Sequence, residues 1–253
     1  MAQNVKHLVT VKGNVDILNN VAYGAKDLIF DWTRIEVPRG VFSVNSIFMT
    51  IQGTNGAAGT NDEQVLDLIF AREVDGVAPT GLGPSNGVPG AARTNLSRRN
   101  IIGYSQLLPG SMNDDGNSLA SFNIASSSNF ATKHNPDIVL VGDPHTKATA
   151  GNQYIYVACT TAGGQDFGTG VLAAGAHDTG STITVDTVDA TTRFAIGDEI
   201  VAVAGDGSDA QVVGTIRALT ATAITVDALG GDIADDDEIC FRHPIVLQLG
   251  LQY

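Results

Sequence analysis

Ile183-Thr184-Val185-Asp186 followed by Phe194-Ala195-Ile196-Gly197-Asp198-Glu199-Ile200 occurs twice in this chain. The second copy is Ile224-Thr225-Val226-Asp227 followed by Ile233-Ala234-Asp235-Asp236-Asp237-Glu238-Ile239. The connections between the two halves of each copy differ by two residues, the length change expected of a surface turn. Each copy offers a Thr-flanked strand, a turn, and an acidic turn entering a second strand. Two such units related by a pseudo-two-fold would close a small barrel and remove exposed sheet edges. Val201 to Ala204 and Gln211 to Leu219 are expected to form the hairpin between the copies, turning at Gly205-Asp206-Gly207.

Charge separates this stretch from the rest. Gly170 to Cys240 carries thirteen Asp and Glu against Arg193 and Arg217, a net of -11, whereas the remainder holds fourteen acids and twelve Lys and Arg, a net of -2. A nearly neutral body therefore bears a strongly acidic appendage. That balance suits a body that docks on something and an appendage that stays hydrated. The expected division is a β-sandwich docking domain over 1–169 plus 241–253, with an acidic β-barrel inserted at 170–240, its two ends close together.

Outside the repeat the patterns are those of strands. Leu8 to Val11 and Val15 to Leu18 flank a turn at Gly13-Asn14. Leu28, Phe30 and Trp32 share one face, and the apolar parity shifts to Ile35 and Val37 after Thr33, which predicts a bulge. Ile47, Met49 and Ile51 alternate with polar or small neighbours. Strand character recurs over Val65 to Glu73, Ile101 to Leu108, Ile138 to Val141 and Tyr154 to Cys159. At the end of the chain Ile245, Leu247, Leu249, Leu251 and Tyr253 alternate without error, so this strand needs a sheet to bury it, expected beside Tyr154 to Cys159. No segment has a convincing 3.6-residue period with caps. The fold class is mainly β: a jelly-roll-like sandwich with an inserted small acidic barrel.

The totals exclude several functions. No apolar run approaches the ~20 residues that span a bilayer, and the N-terminus lacks the apolar core of a signal peptide, so synthesis in a cytoplasm and no membrane partner are expected. A formal charge of -13 opposes direct nucleic-acid binding, which clustered Lys and Arg drive. Cys159 and Cys240 are too few for a disulfide framework, and two buried reduced thiols are expected.

Motifs for chemistry fail on context. Gly83-Pro84-Ser85-Asn86-Gly87 matches the nucleophile elbow, but Pro and Gly surround it where a strand and a helix are required. His134 and His145 with Asp137 and Asp143 lack metal-ligand spacing. His177 and His243 flank the insert, where protonation could act on its orientation. Asp235 to Glu238, Asp206 to Asp209 and Asn113 to Gly116 lack the calcium-loop pattern and read as solvated acidic turns. No catalytic, metal or cofactor site is expected, and the chain is not expected to be an enzyme. The remaining candidate is the stretch from Val77 to Asn100, which loses apolar pattern, is rich in Gly and Pro, and carries Arg93, Arg98 and Arg99. Long loops in compact domains are commonly functional, which makes it a contact arm with these arginines as partner-contact residues.

Four passages carry a resemblance: Trp32-Thr33-Arg34-Ile35-Glu36-Val37-Pro38-Arg39-Gly40, Thr50-Ile51-Gln52-Gly53-Thr54-Asn55-Gly56, Gly151-Asn152-Gln153-Tyr154-Ile155-Tyr156 and Phe194-Ala195-Ile196-Gly197-Asp198. In these the chain resembles virion structural proteins of marine tailed bacteriophages, across much of its length and in style rather than through one diagnostic motif. The resemblance implies a non-enzymatic decoration or cement protein on a capsid surface, partnered by the major capsid protein or other virion proteins, and often a homo-oligomer, with a trimer favoured. The alternatives are a tail, neck or fibre component and a carbohydrate-binding sandwich. One Trp and five Tyr are few for sugar-stacking platforms.

Overall fold

The computed structural model describes residues 6–13, 25–52, 65–82, 95–108, 112–114, 119–125, 138–143, 151–162, 170–186, 188–204 and 211–253. The chain is mainly β, and every strand pair is antiparallel. One sheet of the sandwich has the order β1 (Lys6–Gly13), β16 (Ile245–Gln252), β3 (Val41–Gln52), β7 (Leu119–Ala125), β6 (Met112–Asp114). A further strand, β8 (Ile138–Val141), pairs with the start of β3. The facing sheet has the order β2 (Leu28–Pro38), β9 (Asn152–Thr161), β4 (Leu66–Arg72), β5 (Ile101–Leu107).

The inward residues of the two sheets form one core. Ile47, Met49 and Ile51 of β3 meet Ile245, Leu247, Leu249 and Leu251 of β16, and across the sandwich Leu68, Phe70, Ile155 and Val157. Each fully buried side chain of this kind is worth about 1.5–3 kcal/mol of transfer free energy. In β3 an extra residue near Asn45 shifts the pairing with β16 between Gly250 and Leu251. This is why Phe42 and Val44 point inward on one side of it and Ile47 on the other. At one corner Gly103 of β5 lies against Ile138 and Leu140 of β8, where a Cβ would approach both to 2.8 Å. Glycine is what lets the sheet edges meet there.

The perfect alternation of β16 correctly predicts its buried face, but its neighbours are β1 and β3, not β9. Alternation specifies which face is covered and carries no information about which strand lies alongside. In β2 the register shifts twice, between Leu28 and Phe30 and between Phe30 and Thr33. Leu28 and Trp32 therefore pack together on the outer face, while Ile29 and Phe30 both enter the main core. The expected strand Val15 to Leu18 lies outside the described residues.

Residues 171–241 build their own six-stranded sheet, in the order β10 (Val171–Leu172), β15 (Glu238–Phe241), β12 (Glu199–Val203), β13 (Gln211–Thr220), β14 (Ala223–Val226), β11 (Thr182–Thr184). Its ends join through an Ala173–Val185 bridge, with Ala174 N–H donating to Thr184 O at 2.9 Å and Asp186 N–H to Leu172 O at 3.3 Å. This closes the sheet into a barrel.

The two sequence copies are paired about a local two-fold. Ile183 lies opposite its counterpart Ile224, and Val201 opposite its counterpart Cys240. The barrel has its own core, including Ile183, Ile200, Ile216, Ile224 and Ile239. Val201, Val203 and Cys240 instead join the sandwich core, so the seam between the two units is apolar and packed.

Candidate partner-contact surface

The arm begins with a tight turn. Val74 and Val77 exchange reciprocal backbone hydrogen bonds at 3.0 Å around Asp75 and Gly76, whose φ values are 56° and 75°. Two positive φ angles in succession are the geometry that Asp-Gly sequences favour. The turn is tied down by Gly76 N–H donating to Asp143 Oδ2 at 2.7 Å. Beneath it the Tyr156 hydroxyl donates to Glu73 Oε1 at 2.9 Å. Burial, and then that hydrogen bond, push the phenol well above its ordinary range.

Beyond the turn the chain runs as a strap across the outer face of β2 and β9. Trp32 Nε1 donates to Thr80 O at 3.0 Å, and Leu82 N–H donates to both oxygens of Asp31, at 3.0 and 3.2 Å. Leu82 is buried against Leu28, Ala158 and Trp32. Gly81 sits so close that a Cβ there would lie 2.8 Å from Asp31 Oδ2. A side chain at 81 would have to displace the clamp.

Residues 83–94, including Ser85 and Arg93, lie outside the described residues. The chain resumes in α1 (Asn95–Asn100), a short helix that no sequence period announced. Asn100 Nδ2 donates to Arg72 O at 2.8 Å, fixing the end of the helix at the point where the arm left the sheet. The arm is therefore pinned at both ends. Arg98 and Arg99 occupy the last turn of α1, and both are exposed. Basic side chains there also suit the helix dipole. Val77, 66% exposed, lines an open cleft of about 230 Å³ together with Val74, Asp75, Ala78 and Thr80 and with Arg99 and Asn100 of α1. Of the three candidate contact arginines, Arg99 thus shares a cleft with the exposed Val77 and with Asp75.

The other candidates fall elsewhere. His134, Asp137, His145, Asp206 and Asp209 lie outside the described residues, and Asp143 is used by Gly76. His177 Nε2 lies 3.2 Å from Thr184 Oγ1 on the barrel surface. At the seam His243 Nε2 is 3.2 Å from Glu199 Oε2, which Arg242 also approaches at 3.3 Å. Both cysteines are buried free thiols, as expected, and burial pushes each well above the ordinary thiol range.

The acidic turns of the repeat have a structural role. Asp198 Oδ2 accepts Ala195 N–H at 2.8 Å, and in the second copy Asp237 Oδ2 accepts Ala234 N–H at 2.7 Å. The intervening Gly197 and Asp236 both have positive φ, 101° and 66°. The shared Asp is thus the residue that closes each turn on its own backbone. Among the described residues no group of three or more His, Cys, Asp or Glu is placed to hold a metal ion.

No protein-family profile and no well-characterised protein sequence matches the chain. Among solved structures, a similarity is found to a chain in "Crystal structure of the T13 IBDV viral particle reveals a missing link in icosahedral viruses evolution", at 10% identity and a TM-score of 0.23. It covers 98% of this chain, which spans 39% of the length of that one. A TM-score at that level does not establish a shared fold.

Proposed function

We propose that this chain is a non-enzymatic structural protein of a tailed-bacteriophage virion, of the decoration or cement kind. Its sandwich docks on the capsid shell through the pinned arm, and the acidic barrel projects into solvent. The observation that carries this reading is the segregation of surfaces. Arg98 and Arg99 are exposed on α1, Arg99 in one cleft with the exposed Val77 of the strap, while the insert holds most of the net negative charge. Exposed arginines on an otherwise nearly neutral body can meet carboxylates of a shell surface, and electrostatic complementarity of that kind orients encounter and suppresses wrong partners.

The sequence resemblance to virion structural proteins points the same way. Specific interfaces bury ~1,600 Å² in total, and the arm adds contact area to a small body. The reading is tested on particles that carry the protein with residues 83–94 deleted and the anchors at Leu82 and Asn100 kept. Such particles are expected to lose occupancy and heat resistance. Normal occupancy together with unchanged heat resistance would sink the reading.

A further inference from the structure

The outer face of the β1-β16-β3-β7-β6 sheet is unlike the rest of this acidic chain. On β3, β8 and β16 the outward positions are neutral, and several are large and apolar: Val41 is 63% exposed, Val139 65%, and Phe48 and Val141 are also exposed. Register puts Val41 opposite Val141, and Ser43 opposite Val139. Between them Ser43, Asn45 and Gln252 form a chain of neutral hydrogen bonds, the hydroxyl of Ser43 donating to Asn45 Oδ1 at 2.8 Å and Asn45 Nδ2 to Gln252 Oε1. The β7 positions opposite Ser46, Phe48, Thr50 and Gln52 are Ala125, Asn123, Ser121 and Leu119. No acidic residue occupies any of these positions. On the edge strand β1, register places Lys6 and Lys12 opposite Gln252 and Val246, at the rim.

We infer that this face is a self-association surface, on which a second copy of the chain packs face to face about a two-fold axis. Two copies of a chain of formal charge -13 repel wherever their carboxylates meet, and a two-fold contact sets each patch against its own copy. A neutral face is where that repulsion is least. Depletion of charge at the centre of a patch is also the compositional mark of interface cores. The area is adequate. Five strands spaced ~4.8 Å apart, averaging about eight residues at ~3.3 Å each, project to roughly 650 Å². That is the order of the ~800 Å² per partner that specific interfaces bury.

Sedimentation velocity on the full chain tests this without any particle, so its outcome is independent of shell binding. At about 50 µM the protein is expected to sediment as a dimer of 26.2 kDa chains in reversible exchange with monomer. Added salt should tighten the dimer, because it screens the repulsion between the acidic barrels while leaving the neutral contact intact. Val139→Asp with Phe48→Asp should raise the dissociation constant by about tenfold or more. Gln248→Glu, nearly isosteric on β16 opposite Phe48, should weaken the dimer in the same direction with an unchanged circular dichroism spectrum. Arg98→Glu with Arg99→Glu should leave it unchanged. A monomer at that concentration, a trimer, association that weakens with salt, or indifference to the face variants would each overturn the inference.

Discussion

The backbone N–H of Leu82 donates to both carboxylate oxygens of Asp31, at 3.0 and 3.2 Å, and with the Trp32 Nε1–Thr80 O bond this clamps the first part of the arm against the sandwich. Replacing Asp31 by Ala leaves the Leu82 N–H without its acceptor and loosens Leu82 from Leu28 and Ala158. The expected cost is about 1–3 kcal/mol, read as a lower urea midpoint. Hydrogen exchange at Leu82 should speed up with it, whereas the barrel amides should keep their protection. Gly81→Ala should act in the same direction by crowding Asp31.

The acidic turns give opposite signs with pH. Asp227 accepts Thr215 N–H at 3.0 Å and Ala228 N–H at 3.1 Å, and these bonds hold its carboxyl below the usual range. Its stabilising contribution is present above the unfolded value of about 3.9 and is lost as pH falls through the depressed folded value. For Asp198, burial raises the carboxyl against the opposing Ala195 N–H. Its contribution is therefore present below about 3.9 and is lost as pH rises through the raised folded value. In thermal melts from acid to near-neutral pH the two variants should separate: at near-neutral pH Asp227→Asn should lower stability and Asp198→Asn should raise it.

The apolar seam couples barrel and body. A fragment covering residues 170–241 should give a β-type circular dichroism spectrum, because it contains the whole closed sheet and its core. It should also self-associate, since Val201, Val203 and Cys240, buried in the full chain, would face water. A disordered fragment would contradict the barrel as a folding unit. In the full chain Val203→Ala should cost about 1–3 kcal/mol and lower the transition of the sandwich as well as that of the barrel.

Cys159 and Cys240 should be silent toward a thiol reagent in the folded protein. Both are buried with their thiols pushed up, and the thiolate is the reactive form. Labelling should appear only together with unfolding. Fast labelling of either thiol in native conditions would contradict its placement.

The parts of this molecule that were legible in the sequence are those with a repeated local rule. The strict alternation from Ile245 to Leu251 announces a half-buried strand, and the matching Asp198 and Asp237 announce equivalent turns. Features set by long-range partners were not legible. The neighbours of β16 depend on register with β1 and β3. Leu82 is a lone apolar residue in a Gly- and Pro-rich run, and its burial depends on Leu28, Ala158 and Asp31, dozens of residues away in sequence. The six residues of α1 are too few for a periodic signal and are held by Asn100 bonding to Arg72 O. Of the candidate contact arginines, charge alone singles out Arg98 and Arg99, and nothing in the sequence marks the cleft beside Arg99.

The most direct test of the proposed role is the number of copies per purified virion, measured by quantitative mass spectrometry for the wild type and for Arg98→Glu with Arg99→Glu. A shell-docking protein should be present in hundreds of copies, and the double variant should fall well below the wild type while folding normally. A dozen copies or fewer would contradict shell docking and favour a tail or neck position, and absence from the particle would contradict a virion role altogether.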